Sequence, residues 1–502
     1  MPVISSSDSA ASALVAVNLP GGIVPAGDLL AMLAAAEAAG VEQVQLGHRQ
    51  QLLLAVAPAR RRALLAALAA ADLQGEAEPD THPNIVSSYV GEEVFYNASW
   101  VREGVYKDIL ELFDFRPRLK INLVDSRQTF VPFFTGHLNF IASDTSNYWH
   151  LFVRFPRSAG RYAWPQLVYT EDLPALSAAI ERVLLADPAR FADEPAAAGP
   201  RLHAAVSAGR PLGQSPVAVP LVLPAFTLPY YEGFNSVGPQ LWLGIYRRDE
   251  RFTVAFLQDL ARMGLQTRGG QLCTTPWKSL IIKNINQADR TRYEVVLCRH
   301  RINVRHAANE LNWQVEDNCP AGLALKHELV RHLNEEDVRT HQLCFAIKTQ
   351  PQTGLFGSVV VRRQPGRAGE QYEILHTRDF NPNSRDFVLF RQQVQRDRLG
   401  WYLVELCYQY YAQASQAPAP DEAPAPAEAR PVAPAAALGR CRHCLTVYDA
   451  VYGDAAQHIA PGTPWAAIAA TYCCPTCEAP AADFIPWHEP PVLAVADLRV
   501  TC

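Results

Sequence analysis

The sequence predicts a mixed α/β protein, with α and β elements both alternating and segregated: a duplicated body, a flexible Ala/Pro linker and a small C-terminal metal-binding domain. Three observations predict it. A strand and helix pattern near residues 14–71 recurs after residue 235. Between Ala412 and Gly439 the chain becomes APAPDEAPAPAEARPVAPAAA, with almost no large apolar residue. Five of the eleven cysteines fall between 441 and 477, which points to a metal site, because eleven in 502 residues are too few for a disulfide scaffold. At about 100–150 residues per domain, this length also requires several domains.

The first copy begins with a strand-like stretch, Leu14–Val17, and a Pro-Gly-Gly turn at 20–22. A helix follows over Asp28–Ala39, with Leu29, Leu30, Met32 and Leu33 along one side. Strands at 42–46 and 51–56 and a helix over Arg60–Ala71 complete a β-α-β-β-α order, a ferredoxin-like unit. In the second copy, strand Gln240–Tyr246 precedes helix Thr253–Met263, segment Gly269–Thr275, strand Ser279–Lys283 and helix Asp289–Arg299. Each unit leads into a longer α/β block with an apolar stretch, Leu119–Ser143 and Gln342–Val361. The run Arg301–Trp313 reads as a basic-to-amphipathic helix. The expected divisions are a disordered N-terminus (1–13), halves at 14–210 and 211–411, a linker (412–439), the metal-binding domain (440–489) and a tail (490–502).

The linker composition cannot bury a core and predicts an extended polyproline-II-like tether. With 45 basic against 50 acidic side chains, the net charge of −5 gives no electrostatic footprint for nucleic acid or an anionic membrane. Hydrophobic residues at 49% exclude wholesale disorder. No charge-free run of about 18 apolar residues is present, and Met1–Ala13 lacks the basic and apolar regions of a signal peptide. The expected location is the cytoplasm, with reduced thiols.

Cys441-Arg-His-Cys444 and Cys474-Pro-Thr-Cys477 are two C-x-x-C knuckles. Each can aim two sulfurs at one point, and together they supply four thiolates in a tetrahedron suited to iron or zinc. The spacing alone leaves both metals open. Between the knuckles, Tyr448-Asp449, Gly453-Asp454, the run Ile459-Ala460-Pro461-Gly462-Thr463, Trp465 and Tyr472, with Phe484 beyond, resemble rubredoxin. The resemblance implies one redox-active iron held by Cys441, Cys444, Cys474 and Cys477, beside a small core of Tyr448, Trp465, Tyr472 and Phe484. Two positions depart from it: Leu445 and Glu478 stand where rubredoxins usually have glycine after each knuckle. Cys473 is outside the ligand pattern and is expected to be a packed side chain. From Cys441 to Glu489 one arginine faces five carboxylates, a net charge of −4, so the domain is expected to dock on a basic surface.

In the body, Gln45-Leu46-Gly47-His48-Arg49-Gln50-Gln51-Leu52 and the run Gln271–Leu280 resemble the motif that follows the helix in each half of siroheme nitrite and sulfite reductases. Asn18-Leu19-Pro20-Gly21-Gly22, His82-Pro83-Asn84-Ile85-Val86 and Arg118-Leu119-Lys120-Ile121 look like further pieces of that fold. The resemblance covers roughly residues 14–410. It implies that Arg49, Lys120 and, more loosely, Lys278 contact an anionic substrate or siroheme carboxylates. That family also needs two pairs of cysteines for a [4Fe–4S] cluster. Here Cys319 and Cys344 have no partner at pair spacing, and Cys298 and Cys407 are likewise isolated. Neither siroheme nor [4Fe–4S] is therefore expected, no catalytic residue is assigned, and His82, His300, His306 and His341 carry no haem-ligand spacing.

The expected function is one-electron transfer by the rubredoxin-like domain, with a noncatalytic body that docks a redox partner protein. The alternative is a nitrite or sulfite reductase with unusual ligation, fed by its own rubredoxin domain. A zinc-stapled docking domain is a third reading, against which the run between the knuckles argues.

Overall fold

The computed structural model describes residues 12–416 apart from 79, 97–99, 156–159, 193, 209–213, 268, 341, 351–354 and 365–369. Within 438–487 it describes all but 444–445, 449–453, 455–456, 458, 460–462, 476 and 478. The chain divides into two compact units, Met1–Ala412 and Gln413–Cys502. The expectations for residues 1–11, for 417–437 of the linker, for the tail and for Cys444 and His341 lie outside the described residues.

In the first unit, strand Ala13–Asn18 lies antiparallel between Gln51–Val56 and Gly75–Glu76, and Gln43–Leu46 pairs with the far edge of Gln51–Val56. Alternate residues Val15, Val17, Leu52, Leu54 and Val56 enter one core with Leu29, Met32 and Leu33 of helix Ala26–Ala38 and Leu64 and Leu68 of helix Arg61–Ala70. The period of two in the strands and the 3–4 spacing in the helices explain why these segments form these elements. The second copy repeats the arrangement: Gln240–Ile245, Leu280–Asn286 and Gln271–Thr274 pair antiparallel, with helices Val254–Thr267 and Arg290–Arg299 packed into the same core.

The two copies exchange edges. Ile23–Val24 from the first copy pairs with Gln271–Thr274 of the second. Arg251–Thr253 from the second pairs with Gln43–Leu46 of the first. Each borrowed strand runs almost directly into the first helix of its own copy, and those two helices pack together. Gly22 permits the first exchange: its φ is +76°, and a Cβ there would meet the Gln50 side chain at 2.4 Å and the Thr274 carbonyl at 2.8 Å.

The longer blocks are also duplicated. Val86–Ser87, Ile121–Val124 and Leu138–Ala142 run parallel, and Tyr148–Val153 and Gln166–Tyr169 follow antiparallel. In the second block, Trp313–Val315, Phe345–Lys348 and Val359–Gln364 run parallel, followed antiparallel by Gln371–Thr377 and Phe387–Gln395. A helix separates the first two strands of each block, Glu103–Glu111 or Pro320–Glu335, and another follows the last, Leu173–Ala186 or Leu399–Gln416.

The run 301–313 corrects the expectation of a helix. Ile302 N–H donates back to the Leu297 carbonyl and Arg301 takes φ +53°, which ends the preceding helix. Asn303 then closes a turn through its side chain onto Arg305 N–H. Only the short helix Ala308–Leu311 forms before strand Trp313–Val315. Among the described residues, no helix is long and apolar enough to cross a membrane.

The second unit is built on a three-stranded antiparallel sheet with Leu438–Cys441 at its centre, flanked by Val447–Tyr448 and Phe484–Trp487. Its core holds Tyr448, Tyr472 and Phe484, with Trp465 packed against them. Trp465 and Phe484 stack at 4.7 Å between ring centroids, and Tyr472 meets both edge-on. Gly439 makes room for this: a Cβ there would lie 2.4 Å from the Trp465 ring.

Candidate metal centre and a cationic cluster

Cys441 ends the central strand of the second unit, and its N–H donates to the Thr446 carbonyl across the first knuckle. Cys474 opens the second knuckle, which closes through its N–H on the Ala479 carbonyl at 2.7 Å. The thiols of Cys441, Cys474 and Cys477 lie within 4.8 Å of one another, and Sγ of Cys441 is 3.6 Å from Sγ of Cys477. A tetrahedral metal with bonds of about 2.3 Å to sulfur sets its ligand sulfurs about 3.8 Å apart, so this trio fits such an ion. Cys441 and Cys474 are buried, whereas Cys477 is exposed.

Backbone and side-chain contacts other than the sulfurs fix the knuckles. Arg442 N–H donates to the Asp483 carbonyl, and His443 Nε2 lies 3.1 Å from Asp483 Oδ2. Gln457 brackets Cys473, accepting from its N–H at 3.0 Å and donating to its carbonyl at 2.6 Å. Tyr472 donates its hydroxyl to Asp454; burial and then that carboxylate push its phenol up to about 12. Cys473 corrects an expectation: its thiol is exposed, because pairing of its backbone with Pro480 turns the side chain away from the small core.

In the first unit, Arg49 and Lys120 belong to one cationic cluster. The buried Arg49 donates to the carbonyls of Asn84 (2.8 Å) and Ile121 (3.0 Å) and to Asn122 Oδ1 (3.3 Å), and its Nε has no hydrogen-bond partner among the described residues. Burial, then the neighbouring Arg154, push its guanidinium down to about 9. Lys120 pairs with Asp80 at 2.8 Å, and its N–H donates to His137 Nδ1 at 3.1 Å. Burial, then Arg154, Lys120 and Arg49, push His137 down to about 3, so it is neutral at pH 7.

Lys278 is placed elsewhere. Its ammonium lies 2.7 Å from Glu250 and 3.4 Å from Asp317, and it donates to the Glu316 carbonyl. Asp317 also accepts from His48 N–H, and against burial the contacts with His48 and then Lys278 hold its carboxyl well below the usual range. Of the other histidines, His82 faces Glu76, His300 faces Asp259 and His306 faces Glu232. Cys344 and Cys407 are buried, as lone cysteines usually are, whereas Cys298 is exposed on its helix. Sequence reasoning missed His137, Arg154, Lys348 and Arg385, which act on one another electrostatically. They come from separate strands and loops of both halves, and no spacing signals them.

A rubredoxin profile matches residues 439–484, the segment that carries the sulfur trio. Residues 439–484 form a rubredoxin domain. Two curated relatives match here: the probable rubredoxin HupI of Bradyrhizobium diazoefficiens, 49% identical over 45 residues, and the probable rubredoxin HupJ of Rhodobacter capsulatus, 41% identical over 54. These matches cover 9% and 11% of this chain, and 65% and 19% of the relatives, less than two thirds of either. Over most of its length the chain has the fold of the NirA protein of Mycobacterium tuberculosis, with a TM-score of 0.61, 16% identity and coverage of 81% of this chain and 82% of the other.

The rubredoxin aromatics expected from sequence are those that pack beside the sulfurs. Leu445 and Glu478, the two departures after the knuckles, lie outside the described residues. In the body, Cys319 caps helix Pro320–Glu335 through Gly322 N–H and approaches Thr349 Oγ1, while the Cys344 thiol points at the Phe356 carbonyl. Among the described residues, the sulfur trio is the one group of three candidate ligands.

Proposed function

We propose that the chain is a one-electron carrier whose rubredoxin domain holds a single iron between Cys441, Cys444, Cys474 and Cys477, and whose body docks a partner oxidoreductase without doing redox chemistry itself. The convergence of three sulfurs in a rubredoxin domain carries this reading. Bound iron supplies a ferrous–ferric couple in a thiolate tetrahedron with no open position for substrate. The stacked aromatics hold the sulfurs in place, which keeps rearrangement on electron transfer small. Buried Cys441 and Cys474 shield one side, and exposed Cys477 is the side on which an electron enters or leaves. The domain's charge of −4 favours a basic docking face on the partner.

Support for a noncatalytic body comes from its cysteines: Cys319 and Cys344 are each engaged locally, in surroundings that do not fit a four-thiolate cluster. The cytoplasm suits the reduced thiols, and the NirA-like fold makes nitrite or sulfite assimilation the process by analogy. The test is a visible spectrum with metal analysis of the intact protein. One iron per chain, a red colour that bleaches on reduction and its loss in Cys441→Ser are expected; zinc from iron-replete cells would overturn the reading.

The second reading, a siroheme reductase fed by its own rubredoxin, draws on the cationic cluster. Arg49, with its unpartnered Nε, and Lys120 fit the carboxylates of such a haem. Its discriminating readout is a haem band extractable with acid acetone.

A further inference from the structure

The chain has 39 arginines but only six lysines. Five of the six meet a carboxylate within 4.0 Å: Lys107 meets Glu103, Lys120 meets Asp80, Lys278 and Lys326 meet Glu250, and Lys283 meets Glu92. Lys348 differs. Among the described residues it has no carboxylate at ion-pair distance, and its electrostatic neighbours are Arg385, Arg362, Glu316 and Arg154.

Local geometry explains the deficit. Lys348 ends strand Phe345–Lys348 and stands in register with Arg362 on the adjacent parallel strand, like charge beside like charge. Arg362 is itself engaged by Glu373. Glu316, the carboxylate among these neighbours, is occupied: Oε2 accepts from Thr349 N–H and hydroxyl, and Oε1 accepts from Gln350 N–H at 2.9 Å. Arg385 and Arg154 are held side by side on successive backbone carbonyls, Arg385 on Phe134 and Arg154 on Thr135 and Gly136. Among the described residues, neither has a carboxylate among its electrostatic neighbours. Burial, then Arg385 and Arg362, push the Lys348 ammonium down to about 8, whereas an ordinary lysine titrates near 10.4. An amine desolvated beside other cations is the arrangement that activates lysine as a nucleophile.

We infer that Lys348 is a reactive amine that condenses with a small anionic carbonyl compound, an aldehyde or 2-oxo acid, whose anionic group rests on the guanidiniums of Arg154 and Arg385. The inference is independent of the electron-transfer reading. In the step, the ammonium gives a proton to water and the free Nζ pair attacks the carbonyl carbon. The carbinolamine takes a proton back and expels water, leaving a protonated C=N bond. The sum is ammonium plus carbonyl giving iminium plus water, with no oxidant or reductant.

The test uses the full-length, iron-loaded protein with pyridoxal 5′-phosphate as the anionic aldehyde at pH 7.5, trapped with borohydride and mapped by peptide mass spectrometry. Lys348 is expected to label at least about tenfold faster than Lys107, the half-exposed lysine of helix Glu103–Glu111. Phosphate-free pyridoxal is expected to label it more slowly. Arg385→Asn, chosen because asparagine tolerates the φ of +56° there, is expected to slow labelling at Lys348 and leave the rate at Lys107 unchanged. Labelling of Lys107 equal to or faster than Lys348 overturns the reactive amine. Equal rates with pyridoxal and its phosphate, or no change in Arg385→Asn, overturn the anion contact.

Discussion

The rubredoxin centre and the cationic cluster handle buried charge in opposite ways. In the centre, the sulfurs of Cys441, Cys474 and Cys477, from two short knuckles, come together at a spacing that fits one cation, and local turns and a small aromatic core set the geometry. In the body, cations contributed by both halves converge with few carboxylates among them, and backbone carbonyls of residues 84, 121 and 134–136 hold them. The first site gathers sulfurs whose charge a single metal ion would balance. The second has positive charge left over, which makes it receptive to an anion. Lys278, enclosed by Glu250 and Asp317, shows a third state, in which the protein itself supplies the counter-ions.

Each part of this contrast can be broken. The largest effect is expected from Cys441→Ser, which removes a buried ligand: metal content should fall to near zero and the red colour with it, while the far-ultraviolet spectrum of the large body stays. Lys278→Met takes the nearer ammonium from buried Glu250 and Asp317, leaving them the more distant Lys326 and His48, and chemical denaturation should show a loss of about 3 kcal/mol. Adding Glu250→Gln should restore part of it. Phe484→Ala empties one side of the aromatic core and should cost the rubredoxin domain about 3–4 kcal/mol, read from loss of the iron absorbance with denaturant.

A smaller effect is expected from pH. His137 is held neutral in the folded chain to about 3, whereas unfolded it takes a proton near 6.5. The unfolded state therefore binds more protons between those values, and the stability that His137 contributes is complete above pH 6.5 and lost as pH falls toward 3. The loss is at most about 1.4 kcal/mol per pH unit. His137→Gln should flatten this part of the stability profile; an unchanged profile would remove His137 from the cluster.

The same contrast decides what was legible in the sequence. Cys441, Cys474, Tyr448, Trp465, Tyr472 and Phe484 lie within one short segment, so spacing and residue type reveal the site. Arg49 and Lys120 were found because each sits in a local motif. Arg154, Arg385 and Lys348 are ordinary basic residues at the ends of strands or in turns, and only the pairing of distant strands gives them one another. Lys278 sits in a run that resembles a binding motif, but Asp317, 39 residues on, gives no sign in the sequence of being its partner. The duplicated order of strands and helices was readable from periodicity, whereas the edge exchange was not, because Ile23–Val24 and Arg251–Thr253 are too short to have a period.

That exchange has a consequence for the growing chain. The edge strand Gln43–Leu46 emerges from the ribosome some two hundred residues before Arg251–Thr253, the strand that covers it. At about 5–20 residues per second, the first sheet waits roughly 10–40 seconds with one edge open to other chains. Helix Ala26–Ala38 waits as long for its counterpart Val254–Thr267. The two copies are thus obliged to mature as one body, and a break in synthesis between them leaves the first copy with an unsheltered strand.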